Sequence, residues 1–235
     1  MIAVDGVDGS GKTTFASRLA CAIDGAGRPA IVVHEDDFLA SRETRHSRGR
    51  DSPEGFFRDS YDVGALIRHV VDPLRPGGDR RVRRRTFDHR TDAPVDAPVE
   101  DVPVDAVVIV EGMFLHRDEL MHRWDWSVFL DVPFTETARR MAQRDGTNPD
   151  PEHPTMRRYV EGQRIYLATC RPHERATVVV DNTSPLASEA AGRFSPESSA
   201  DGGVDHSDEG TLAYVGSVPL GVTPGAMSDD SGRRG

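Results

Sequence analysis

The chain has 235 residues, 37% of them hydrophobic and 29% charged, which is ordinary for one or two globular domains. No run approaches the ~18 consecutive apolar residues of a membrane-spanning helix, so no membrane partner is expected. A formal net charge of -10 argues against a general nucleic-acid binder, because phosphate backbones demand a basic footprint.

Taken from the N-terminus, residues 1–183 alternate short apolar runs with amphipathic stretches, the pattern of an α/β domain with a mostly parallel five-stranded sheet. Strands are expected at 2–5, 30–34, 106–111, 127–132 and 176–180, rich in Val and Ile as strands covered on both faces are. Helices are expected at about 12–25, 53–71, 134–145 and 155–170. The segment 77–91, GGDRRVRRRTFDHRT, departs from the alternation and reads as a small hairpin excursion, the kind of strand-end insertion where function collects. The first strand is expected to be minimal, since the chain opens only five residues before a glycine-rich loop; a start codon placed too late would account for that.

From Ser184 the composition changes. The 52 residues to Gly235 hold nine Gly, nine Ser and four Pro without amphipathic period, so 184–235 is expected to be an acidic, disordered tail. Cys21 and Cys170 have no C-x-x-C spacing, which fits a reducing compartment, and no basic-then-apolar leader precedes the first motif; a cytoplasmic chain is expected.

Gly6-Val7-Asp8-Gly9-Ser10-Gly11-Lys12-Thr13, followed by Thr14, matches G-x-x-x-x-G-K-[ST] between an apolar strand and an amphipathic helix, the context this motif requires. Glycines let successive backbone N–H groups curl around phosphate oxygens, the helix N-terminus adds positive potential, and Lys12 reaches the outer phosphates. Lys12 is also the sole lysine, the other 28 basic residues being arginine. A compact, flexible ammonium survives where the phosphate loop needs one. ATP with Mg²⁺ on Thr13 is the expected ligand. Lysine's absence elsewhere removes the N/T-K-x-D guanine reader of GTPases, and the chain is too short for a large motor; a small-molecule or nucleotide kinase remains.

Two carboxylates stand at strand ends, where ligands of doubly wound sheets bind. Asp36, in His34-Glu35-Asp36-Asp37-Phe38-Leu39, is placed to take or orient an acceptor hydroxyl proton near the metal, whereas Glu35 and Asp37 are expected to cap or face solvent. Glu111, closing Val107-Val108-Ile109-Val110-Glu111-Gly112, is placed to hold magnesium directly or through water.

With these residues in order, residues 1–183 resemble the uridine kinase branch of the phosphoribulokinase, uridine kinase and pantothenate kinase family. The resemblance implies a three-layer P-loop NTPase fold with a lid helix. It puts Asp36 in the catalytic position of a D-x-F-[YL] element and on the metal, and Glu111 on the metal. Asp51, in Asp51-Ser52-Pro53-Glu54, becomes the partner of ribose hydroxyls, and Phe87 and Asp88 keep the aromatic and acid of a base-side element. In that element Asp92 stands where the family's base-reading histidine falls. Arg140 and Arg144, four apart on one helical face, become the lid arginines that stabilise the transferring phosphoryl group. Arg80, Arg81, Arg83, Arg84 and Arg85 are expected to be a solvated run, with attraction of an anionic acceptor as the alternative. The resemblance further implies transfer from ATP to the 5′-hydroxyl of uridine or cytidine, and a homo-oligomer. Pantothenate, a sugar phosphate or a nucleoside monophosphate as acceptor, or an ATP-binding regulator without turnover, stay open. The opening IAVDGVDGSGKTTF is also similar to thymidylate kinase, but that family's D-R-[YFH] element is missing.

Overall fold

A computed structural model describes residues 1–184, and the expected tail from 185 onward lies outside the described residues. In chain order the elements are β1 (Ile2–Gly6), α1 (Lys12–Gly25), β2 (Ala30–His34), a 3₁₀ turn (Glu35–Phe38), α2 (Arg42–Arg45), α3 (Pro53–Asp59), α4 (Val63–Leu66) and α5 (Asp72–Leu74). Four short strands follow: β3 (Arg81–Val82), β4 (Phe87–Asp88), β5 (Ala93–Pro94) and β6 (Glu100–Asp101). The chain then returns to the sheet with β7 (Val107–Gly112), β8 (Trp126–Asp131), α6 (Phe134–Asp145), α7 (Arg157–Cys170), α8 (Pro172–Arg175) and β9 (Val178–Asp181).

The central sheet has the order β2-β7-β1-β8-β9, and every neighbouring pair is parallel. Strand alternation divides its residues between two cores. Val4, Ile109, Val128 and Leu130 pack against Ala16 and Ala20 of α1, while Ala3, Val33, Val108 and Val110 meet Leu66, Val70 and Leu120 on the other side. A third, aromatic cluster of Phe56, Phe57, Tyr61, Phe114, Phe129 and Tyr166 joins α3 and α7 to the carboxyl end of the sheet. These layers give a three-layer fold, with helices on both faces of a parallel sheet. Its register sets Glu111 beside His34 and beside Val4, so the carboxyl ends of β1, β2 and β7 meet at one edge.

Two expectations are corrected. The helix expected over 53–71 is broken after Asp59, because residues 60–62 pair with residues 38–40 at the end of the 3₁₀ turn. Tyr61 bridges Leu39, Ala40 N–H donates to Ser60 O (2.9 Å) and Asp62 N–H to Phe38 O (2.8 Å). Asp62 then caps α4 by accepting from Ala65 N–H, and a π-helical stretch, Ile67–Val71, carries the chain into α5. The apolar period runs through the break, which is why the sequence reads as continuous. The excursion expected over 77–91 reaches Asp101 and holds two small antiparallel pairs, β3 with β6 and β4 with β5. Pro94 and Pro98 hide the returning strands from any pattern of alternation.

Candidate active site

The phosphate loop runs from Gly6, the last residue of β1, to Lys12, the first of α1. Gly11 occupies the N-cap of α1 with φ of 93°, a left-handed conformation that other residues resist, and no side chain caps the helix. The first-turn N–H groups of α1 thus lack the usual Ser, Asp or Asn acceptor, and such a terminus suits an anion. Gly9 is likewise left-handed, Ser10 N–H closes a turn on Val7 O (3.1 Å), and Lys12 Nζ donates to Val7 O (3.0 Å) across the loop. Ser10 Oγ is buried with no partner among the described residues. Thr13 and Thr14 are exposed on the first turn of α1.

Beneath the loop lies a buried polar anchor. Asp5 accepts from Gly6 N–H (2.7 Å), from His116 N–H (3.1 Å), from His116 Nδ1 (2.7 Å) and from the Tyr166 hydroxyl. All three side chains are essentially excluded from solvent. A buried carboxylate is tolerable only when so well satisfied, and here it fixes where the loop leaves the strand.

The strand-end acids sit one strand away. Glu111 Oε1 lies 3.1 Å from Thr13 Oγ1, which donates to it, and 2.6 Å from His34 Nδ1. The hydrogen bond to Glu111 raises the proton affinity of His34 despite its partial burial. No cluster of three or more His, Cys, Asp or Glu side chains able to hold a metal occurs among the described residues. Thr13 and Glu111 nonetheless fit magnesium, a hard cation that takes oxygen donors and keeps several waters beside substrate phosphates.

Asp36 stands exposed on the 3₁₀ turn after β2, and its Oδ1 accepts the Tyr61 hydroxyl at 2.9 Å. Tyr61 is buried, and burial first, with Asp36 next, pushes its phenol well above the ordinary range, so it stays a hydrogen-bond donor. Glu35 contradicts its expected cap or solvent position. It is fully buried, both carboxyl oxygens lack partners among the described residues, and desolvation raises its proton affinity well above normal. Gly112 is the reason it fits: a Cβ there would lie 2.3 Å from Glu35 Oε2 and 2.4 Å from Glu35 Cβ. Asp37 is half-buried, its acidity weakened by burial and opposed by Arg85 at 3.3 Å.

The lid arginines both reach the loop, in different ways. Arg140 donates through Nη1 to Gly9 O (3.3 Å) and Ser10 O (3.4 Å), through Nη2 to Asn182 O and Thr183 O (both 2.8 Å), and through Nε to Glu136 (2.8 Å). Every nitrogen of its guanidinium is committed to protein acceptors, so it clamps the loop's outer face. Arg144 is exposed and pairs with Asp145 (2.7 Å) and with Asp8 of the loop at 3.6 Å.

The residues expected on the substrate side are farther apart. Asp51 is exposed in the turn before α3, where Ser52 caps the helix by accepting from Gly55 N–H (3.0 Å). Phe87 is buried in β4, and Asp88 beside it accepts from Arg90 N–H (3.0 Å) and pairs with Arg85 (3.2 Å). Asp92 accepts from Arg42 N–H (2.9 Å) and from Arg45 (3.1 Å), tying the excursion to α2. The arginine run is paired throughout: Arg80 donates to Val102 O and Pro103 O, and Arg81, Arg83, Arg84 and Arg85 meet Asp101, Asp96, Glu100 and Asp37.

Sequence reasoning missed Tyr61, hidden inside a helix that is broken, and His34, which ends a strand without a motif. It also missed Gln163, whose Oε1 accepts Asp8 N–H at 2.6 Å and so links α7 to the loop. For Gln163 the sequence carries no local signal.

The family model described as Phosphoribulokinase / Uridine kinase family matches residues 1–148. A uridine kinase of Leuconostoc citreum is 28% identical over 182 residues, covering 73% of this chain and 78% of that protein. A uridine kinase of Deinococcus deserti is 28% identical over 191 residues, covering 77% and 86%. The solved structure of a possible uridine kinase from Bacillus stearothermophilus superposes with a TM-score of 0.61 at 27% identity, covering 77% of this chain and 87% of that one.

Proposed function

The chain belongs to the phosphoribulokinase and uridine kinase family, and we propose that it transfers the γ-phosphoryl group of ATP to a hydroxyl of a small molecule. The observation that carries this reading is the convergence at one sheet edge of an uncapped glycine loop with Lys12, the Thr13–Glu111 pair, and a carboxylate, Asp36, held by a buried tyrosine. The uridine or cytidine 5′-hydroxyl is the acceptor suggested by the named relatives.

In this reading the loop N–H groups and Lys12 bind the phosphates, with Gly6, Asp8, Gly9, Ser10, Gly11 and Thr14 forming the cradle. Thr13 and Glu111, with Asp36 at the rim, hold Mg²⁺, which when bound neutralises charge on the β- and γ-phosphates. Asp36 accepts the proton of the attacking hydroxyl as its oxygen bonds to the γ-phosphorus and the bond from that phosphorus to the bridging oxygen breaks, releasing ADP. The Tyr61 hydroxyl keeps Asp36 in one rotamer, so the base is oriented before the acceptor arrives. Arg140 holds the loop's shape. Arg144, held to the loop only by a 3.6 Å contact, supplies charge to the transferring group. Asp51 takes acceptor hydroxyls, and Phe87 and Asp88 form the far wall.

The test is incubation of the full chain with Mg²⁺-ATP and uridine, cytidine, deoxycytidine, pantothenate or pentose phosphates, following acceptor-dependent ADP release and product mass. A phosphorylated acceptor is expected. A stable ATP complex that phosphorylates none of them would favour a regulator without turnover.

A further inference from the structure

A cavity of about 410 Å³ opens between the turn preceding α3 and the start of α7, lined by His46, Arg50, Asp51, Thr155, Arg158 and Tyr159. It adjoins the reaction centre through α7. Tyr159 O accepts from Gln163 Nε2 at 2.9 Å, and Gln163 Oε1 accepts the loop's Asp8 N–H. Tyr159 in the cavity wall and Gln163 at the loop are thus four residues apart on α7, about 6 Å along the helix axis. The wall is firm: Tyr159 packs edge-on against Phe56 with ring centroids 5.1 Å apart, and the Arg158 guanidinium lies 5.7 Å from the Phe56 ring centre.

Two arginines meet on this wall without an ion pair among the described residues. Arg158 donates to two main-chain carbonyls, Arg50 O and Arg45 O, and has no carboxylate within ion-pair distance among the described residues. Among the described residues Arg50 has none either, and the wall's single acid, Asp51, forms no ion pair. Burial and the like charges of Arg45 and Arg50 weaken the hold of Arg158 on its proton. Burial together with Arg158, Arg45, Arg50 and Arg42 does the same to His46. In the excursion, by contrast, four successive arginine side chains each meet an acid. A chain with net charge -10 does not lack carboxylates. Arg50 is exposed and Arg158 partly buried on this concave wall, their like charges repel with only Asp51 to offset them, and a ligand anion removes that repulsion. Guanidinium forks suit the planar or tetrahedral oxygens of carboxylate and phosphate, while Asp51, Thr155 and Tyr159 suit a polyhydroxylated body.

Building on the kinase reading, we propose that the acceptor is a hydroxylated small molecule bearing an anionic oxygen group, phosphate or carboxylate, bound by Arg50 and Arg158 while Asp51 engages a hydroxyl. This makes a neutral nucleoside the poorer acceptor. The anionic group belongs to the acceptor and takes no part in the bond changes of transfer.

The experiment is calorimetric titration of ribose 5-phosphate, D-glycerate, ribose and uridine into the full chain saturated with Mg²⁺ and a non-hydrolysable ATP analogue, so that the loop is already filled. At least one anionic probe is expected to bind about 10-fold or more tightly than either neutral one. Preference for ribose 5-phosphate identifies a phosphate site and preference for glycerate a carboxylate site. Arg158→Met and the exposed Arg50→Met should each weaken that probe about 10-fold and leave affinity for the ATP analogue unchanged. Tighter binding of uridine than of both anions, binding of none of the four, or anion affinity indifferent to both substitutions would overturn the proposal. Failure of the ATP analogue itself to bind would instead count against the kinase reading.

Discussion

Thr13, on the first turn of α1, and Glu111, at the end of β7, are 98 residues apart in sequence, and their side-chain oxygens meet at 3.1 Å. The parallel pairing of β1 with β7 sets this contact, because Val4 is in register with Glu111 and the loop that follows β1 returns over it. Two oxygen donors are thereby assembled beside the phosphate loop.

That contact predicts the metal dependence. Chelating Mg²⁺ should abolish transfer, and Glu111→Gln should raise the Mg²⁺ concentration for half-maximal rate by about 10- to 100-fold. Rate against Mg²⁺ at saturating ATP measures this. An unchanged midpoint would remove Glu111 from the metal.

Tyr61 predicts a positioning effect. Losing its hydroxyl in Tyr61→Phe removes one hydrogen bond to Asp36, about 1 kcal/mol, so kcat should fall roughly 5- to 10-fold with the KM for ATP unaltered. A purely structural role would lower the melting temperature and leave kcat per folded molecule intact.

Much of this was legible in sequence, for a physical reason. Residues 6–13 form a motif whose spacing is dictated by the size of a phosphate, and parallel strands buried on both faces show as unbroken Val and Ile runs. What was not legible depends on contacts between distant segments. Tyr61 stands outside a helix because Phe38 and Ala40 offer backbone partners to its neighbours Asp62 and Ser60, Glu35 is buried because Gly112 has no Cβ, and Asp92 serves α2 because the excursion folds toward it. The lid arginines show both sides of this. Their four-residue spacing puts both on the face of α6 that meets the loop, whereas the commitment of Arg140 to main-chain carbonyls depends on Asn182 and Thr183, which no helical period reveals.

Gly112 predicts a stability cost. Gly112→Ala places a methyl group against Glu35, and overpacking of this kind costs about 1–3 kcal/mol. Urea unfolding should show a lowered midpoint, and Glu35→Ala in the same chain should recover part of it. An additive double variant would mean that the two side chains do not meet.

Glu136 predicts a pH dependence of stability. Hydrogen bonds from Arg139 first and Arg140 next hold its carboxyl down to about 2, against a model-compound value of 4.5. A depressed carboxyl stabilises the fold above the unfolded value, and that contribution is lost as pH falls from about 4.5 toward 2. Glu136→Gln should therefore melt below the native chain at pH 7, with the gap narrowing below about pH 4.5. A gap constant from pH 7 to pH 3 would contradict the ion pairing.

The central claim is that Asp36 is the base of a phosphoryl transfer, and single-turnover measurement with γ-labelled ATP tests it most directly. Asp36→Asn keeps the shape of the side chain and loses its basicity. With the acceptor found in the panel, this variant should bind ATP within about twofold of the native affinity while label transfer slows by about 100-fold or more. Transfer at the native rate by Asp36→Asn would contradict the account.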